Sequence, residues 1–228
     1  MPHEQHTTAP QLHRLLRKPD QTISYLPVLS EFLNPQQSLI GIWIGINDIG
    51  DSSKYNITGI NGTANLTHPF ASFPSFYNLI LDTEFASVQQ LYSTGYRNFI
   101  FFTLPPLDKT PGNILAGSKA LPNATMVGWY NDAIASHTKV FQERNRDAKV
   151  MLFDAHEVLE GVLEDPGKYG IKNTTGYCVG YNQPDIQTDP GKYGCAPLEE
   201  YFWYNTGHLT SHVHSILAGE LRDFLLRQ

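Results

Sequence analysis

Three continuous apolar runs of strand length punctuate this 228-residue chain: Ser38–Ile44, Asn98–Thr103 and Lys149–Phe153. Runs without alternation are expected of strands buried on both faces of a parallel sheet. Between them the spacing turns helical. Phe76, Leu79, Ile80, Phe85, Val88 and Leu91 predict a helix over Pro74–Ser93, with Gly95 as its stop. Asn123 is placed to cap a long helix, Ala124–Asn145, followed by a short helix over His156–Leu163 and a last one over Thr210–Leu226. Ahead of the first strand, Ile23, Leu26, Leu29, Phe32 and Leu33 predict a helix over Thr22–Leu33, which Asn34-Pro35 ends. This alternation implies an α/β fold, a parallel sheet with helices on both faces. Residues 50–73, 107–122 and 165–200 read as loops. The hexapeptide Asp-Pro-Gly-Lys-Tyr-Gly occurs at 165–170 and again at 189–194, which reads as reuse of a turn rather than a domain repeat.

Composition narrows the class. The length suits one domain with a substantial core, and 41% hydrophobic residues are a globular value. A net charge of -6 argues against nucleic acid or an anionic membrane surface as partner. No apolar run approaches the roughly 18 residues of a membrane span. Cys178 and Cys195 bracket a Gly- and Pro-rich loop, and a disulfide there would constrain it; the alternative is two free thiols. Sequons at Asn56, Asn61, Asn65, Asn123 and Asn173 point to a secreted glycoprotein. Residues 1–20 hold scattered His, Arg, Lys and Pro but no apolar core, so they are not a signal peptide. They are expected to be unstructured or non-native, with the domain occupying 21–228 and the true start elsewhere.

The candidate chemistry lies at two short stretches. Gly45-Ile46-Asn47-Asp48 follows the first strand, where an asparagine amide would reach the carboxyl edge of the sheet, the edge at which open α/β sheets place their ligands. Asn47 suits a donor to a developing oxyanion, worth about 3–4 kcal/mol of barrier. Asp48 suits holding the turn. An ordinary strand-ending turn is the plainer alternative. Asn205-Thr206-Gly207-His208 precedes the last helix, and His208 suits a general base; a helix-start histidine without chemistry is its alternative. Trp203 and Tyr204 beside it suit stacking on a sugar ring, or else core packing. His208 and His212 have the spacing of a zinc pair, but no Glu or third ligand accompanies them, so no metal is expected. Gly50-Asp51-Ser52 offers a serine only five residues past Asn47, too close to act as an independent partner of one tetrahedral carbon.

Gly45-Ile46-Asn47-Asp48 resembles the third block of the GDSL, or SGNH, hydrolases, and Asn205-Thr206-Gly207-His208 resembles their fifth, Asp-x-x-His block. The flanks Trp43–Gly50 and Tyr201–Asn205 are similar to the fungal branch that includes the family 16 carbohydrate esterases. The likeness covers roughly residues 22–226. It implies a flavodoxin-like three-layer fold and hydrolysis of acyl esters, here acetyl groups on plant-wall carbohydrate, by a secreted monomer without a cofactor. It gives Asn47 the oxyanion role, His208 the base role and Asn205 the position of the Asp that orients the histidine. In the serine triad, Asp→Asn costs about 10⁴ in rate. The family's Gly-Asp-Ser block and its first strand have no counterpart in residues 1–37. The chain is therefore expected to be N-terminally truncated, without its nucleophile, and to leave the Ser38–Ile44 strand with an unpaired edge. A non-catalytic carbohydrate-binding descendant and an unstable fragment are the alternative readings.

Overall fold

The computed structural model describes residues 34–52 and 72–228. The expected helix Thr22–Leu33, the sequons at Asn56, Asn61 and Asn65, and most of loop 50–73 lie outside the described residues. Strands β1 (Leu39–Ile42), β2 (Asn98–Phe102) and β3 (Lys149–Phe153) form a sheet in that order. β1 pairs with β2 in parallel, Leu39 opposite Asn98 and Ile42 opposite Phe101. Helices α1 (Ile46–Gly50), α2 (Phe73–Ser93), α3 (Pro111–Ala116), α4 (Ala124–Arg144), α5 (Ala155–Glu164) and α6 (Ser211–Leu225) complete a mixed α/β fold consistent with that of the SGNH hydrolases. The described residues divide into two compact units, one of residues 34–42, 72–101 and 133–151, the other of residues 43–52, 102–132 and 152–228.

The first unit is built around aromatic rings. Phe99 and Phe101 are fully buried on β2, and Phe141 meets Phe99 edge-on at 5.4 Å. Phe85 stacks on Phe101 at 4.6 Å. Such pairs add about 0.5–1.5 kcal/mol each beyond the burial of their area. A reciprocal amide pair links α2 to the end of α4: Gln89 Nε2 donates to Asn145 Oδ1 at 3.2 Å, and Asn145 Nδ2 to Gln89 Oε1 at 3.1 Å. Ser72 caps α2 by accepting from Ser75 N. Gly95, at φ 107°, turns the chain out beyond it, which a side chain would resist. Among the described residues β1 pairs with β2 alone, and Leu39 on β1 is 43% exposed. The expectation of burial on both strand faces therefore fails for β1, where Ile42 alone is buried, and Ile44 just beyond it is 46% exposed.

The second unit holds the residues that follow β1 and the last residues of β2 and β3. The Trp43 indole donates to Thr103 O at 3.0 Å and stacks on Phe102. Thr103 Oγ1 donates to Asp154 Oδ1 at 2.8 Å, and Asp154 caps α5 by accepting from Glu157 N. The expected loop at 107–122 instead contains α3. Thr110-Pro111 supplies a cap and a first helical residue, the strongest local start signal, and it outweighs the glycine that follows. Both copies of the hexapeptide form short 3-10 turns, ended by left-handed Gly170 and Gly194. Cys178 and Cys195 form the expected disulfide, beside a small core of Ile186 and Leu198.

Candidate active site

Asn47 lies in α1, directly beyond β1, with its side chain exposed. The turn depends on Gly45. Its φ of 105° is left-handed, and a Cβ there would overlap the Tyr130 hydroxyl. That hydroxyl donates to Ile44 O at 3.3 Å, so Tyr130 holds the strand end and excludes any larger residue at 45. Ile49 N donates to Gly45 O and Asp51 N to Asn47 O, both at 2.9 Å. Asp48 is only 6% exposed, and burial pushes its carboxyl above the usual carboxylate range; a bond from its own backbone N–H offsets this only in part. Ser52 is fully buried.

Asn205 and His208 are brought together by one tight turn. Asn205 Oδ1 accepts from Gly207 N at 3.0 Å, from His208 N at 2.9 Å and from His208 Nδ1 at 2.9 Å. The two backbone donors settle which end of the amide faces the ring, because an NH₂ group has no lone pair to offer them. The ring nitrogen facing that oxygen must then carry the hydrogen. Nε2 is left with its lone pair, the form a general base needs.

The turn is anchored at both ends. Tyr204 N donates to His208 O at 2.7 Å, and Thr210 N to Phe202 O at 3.1 Å. Thr210 caps α6 by accepting from Val213 N, while its own hydroxyl donates to Tyr201 O. His208 is exposed. Burial, and secondarily the charge of His208, lower the pKa of His214. His212 points Nε2 at Tyr169 O, 2.8 Å away, so that nitrogen is engaged by a carbonyl.

Trp203 is placed differently from the stacking role. It is 1% exposed, its indole donates to Thr174 O at 2.9 Å, and its backbone bridges to Leu209. The ring is taken up in the core, with Phe202 edge-on at 4.8 Å, and offers no face to a sugar. Tyr204 is half-buried and donates its hydroxyl to Tyr181 O. Tyr177, Tyr181 and Tyr204 form an edge-to-face series, each step 5.8 Å. Asn123 is exposed and caps α4 through Met126 N, whereas Asn173 is half-buried and accepts from Thr175 N and Gly176 N. Tyr130, which holds the Gly45 turn, carried no signal in the sequence. At Asn205 the side chain accepts from the backbone N–H two residues on, the Asx turn that asparagine favours locally.

The family model for GDSL-like lipase/acylhydrolase matches residues 6–221. An acetylesterase of Thermothelomyces thermophilus is 28% identical over 211 residues, which cover 92% of this chain and 56% of that protein. GDSL esterase/lipase 4 and GDSL esterase/lipase 3 of Arabidopsis thaliana are 23% and 24% identical, each over 63% of this chain and 41% and 42% of their own lengths. The chain thus spans about half the length of these relatives.

Proposed function

The chain belongs to the GDSL-like lipase/acylhydrolase family, and on that premise we propose that it carries the base and oxyanion half of a carboxylic-ester hydrolase site. The observation that carries the reading is the Asn205–His208 turn, which fixes one imidazole nitrogen and leaves the other its lone pair. His208 Nε2 would take the proton of a serine hydroxyl as it attacks the acyl carbon, then return it to the departing alcohol. The Asn47 amide would donate to the oxyanion of the tetrahedral intermediate, an interaction worth about 3–4 kcal/mol.

Asn205 takes the place of an orienting carboxylate. The 10⁴-fold loss seen for Asp→Asn in the serine triad comes mainly from the wrong tautomer. Here two backbone donors lock the amide oxygen toward the ring, so that part of the loss does not arise. What remains is the missing charge. A charge-assisted bond exceeds a neutral one by about 1.4 kcal/mol, or roughly tenfold in rate.

Ser52 is not assigned as nucleophile because it is fully buried. The serine is assigned to no described residue. The substrate class we propose is acetyl esters on plant-wall carbohydrate, supported by the likeness to the Thermothelomyces thermophilus acetylesterase, with Tyr204 as a sugar contact. Action outside the cell is supported by the disulfide.

The test is hydrolysis of p-nitrophenyl acetate by this chain and by a form extended with a Gly-Asp-Ser segment. Turnover in the extended form that His208→Ala abolishes supports the reading. Turnover by the chain itself that survives His208→Ala but is lost in Ser52→Ala overturns it.

A further inference from the structure

The turn carrying His208 is also held from outside. Gly112, the second residue of α3, donates its backbone N–H to Thr206 O at 2.9 Å. A Cβ added at Gly112 would stand 3.0 Å from that same oxygen and 3.6 Å from Thr206 Cβ. At that separation the carbonyl must give way by a few tenths of an ångström. The bond and the obstacle would then act on one atom, in the residue between Asn205 and Gly207.

Backbone freedom does not explain the glycine, since Gly112 is not among the residues with positive φ. In a helix it costs about 0.5–1 kcal/mol relative to alanine. Gly128 in α4 and Gly161 in α5 differ, because an added Cβ at either has nothing within 4 Å. α3 is a firm support for such a contact. Thr110 caps it through Asn113 N at 3.3 Å, and Asn113 Nδ2 donates to Leu107 O at 3.0 Å and Pro122 O at 2.7 Å. A close approach at the N-terminal turn of a braced helix therefore sets where Thr206 O lies.

We propose that Gly112 is a positioning residue for His208. It lets α3 come close enough to pin the Thr206 carbonyl, which holds the turn in the shape that keeps Asn205 Oδ1 on Nδ1. The consequence for turnover rests on His208 being the base; the geometric claim does not.

The test compares Gly112→Ala with Gly161→Ala, the same chemical change where there is room. The readout is the His208 Nδ1–H proton resonance at low temperature, assigned by its loss in His208→Gln. Both alanine variants should melt cooperatively. Gly161→Ala should leave the resonance in place, and Gly112→Ala should lose it to exchange or displace it. In a form that turns over p-nitrophenyl acetate, Gly112→Ala should lower kcat about tenfold with KM unchanged, a modest share of the 10²-fold that a 1 Å misplacement costs. An unchanged resonance in Gly112→Ala overturns the proposal. So does loss of cooperative melting, which would make Gly112 a folding residue instead. Should no form of the protein hydrolyse the ester, the esterase reading falls while the resonance comparison still decides this one.

Discussion

His137 and His208 each direct a ring nitrogen at a side-chain oxygen, of Asp82 at 3.1 Å and of Asn205 at 2.9 Å. His137 has the better acid and also borders a cavity of about 390 Å³ between α2 and α4, lined by Phe85, Gln89, Phe141 and Arg144. Its other nitrogen, however, faces Ala133 O at 2.9 Å. With acceptors on both sides, making both bonds requires both ring hydrogens and leaves no lone pair for a substrate's proton. Asp82 is itself 69% exposed. His208 has a neutral partner, but that partner is locked by backbone donors. A carboxylate and a cavity beside a histidine do not suit it to act as a base; one nitrogen fixed and the other left its lone pair would.

The contrast can be broken most sharply by paired alanine variants in a form that turns over ester. His208→Ala should cut kcat by about 10³-fold or more, while His137→Ala should leave it within twofold. Equal losses would erase the distinction. The next effect is a gain. Asn205→Asp should raise kcat about tenfold by adding charge to a bond already correctly aimed; a rise near 10⁴ would mean that the tautomer was never locked.

A smaller effect separates burial from pairing at the strand end. The Asp48 carboxyl is raised by burial, so the folded state holds that proton more tightly than the unfolded chain does. Its contribution is fully present below the unfolded value and is lost as pH rises through the folded one. Asp48→Asn should accordingly melt higher than the parent at pH 7, by about 3 °C for each kcal/mol, and the gain should vanish in acid. An equal gain at both pH values would point to packing. Smallest of all, Asp82→Asn should change stability by less than about 1 kcal/mol, as expected of an exposed pair.

Much of this was legible in the chain. The three apolar runs became the three strands, although only β2 is buried along nearly all its length; in β1 Ile42 alone is buried. The repeated hexapeptide formed the same turn twice, because proline and a left-handed glycine dictate it locally. Asn123 capped α4 for the same local reason. What escaped was set by distant partners. Trp203 reads equally as a sugar platform or as core packing, and only its burial, with a backbone bridge to Leu209, decides for the core. α3 was hidden in a loop because its glycine weighs against a helix, and the reason for that glycine lies about ninety residues away at Thr206. Of the candidate site, the residues were visible and the arrangement was not. Asn205 and His208 could be named, but the lock that makes the asparagine usable is a matter of three distances.

The burial of Trp203 has an optical consequence. Trp43 and Trp129 are half-buried, whereas the Trp203 indole is buried in a residue whose backbone bridges to Leu209, the neighbour of His208. Its emission should therefore be the bluest of the three, and any reddening of that component before the melt would record the turn opening while the rest of the fold stays closed. The protein carries its own fluorescent gauge of whether the histidine is in place, readable with no substrate present.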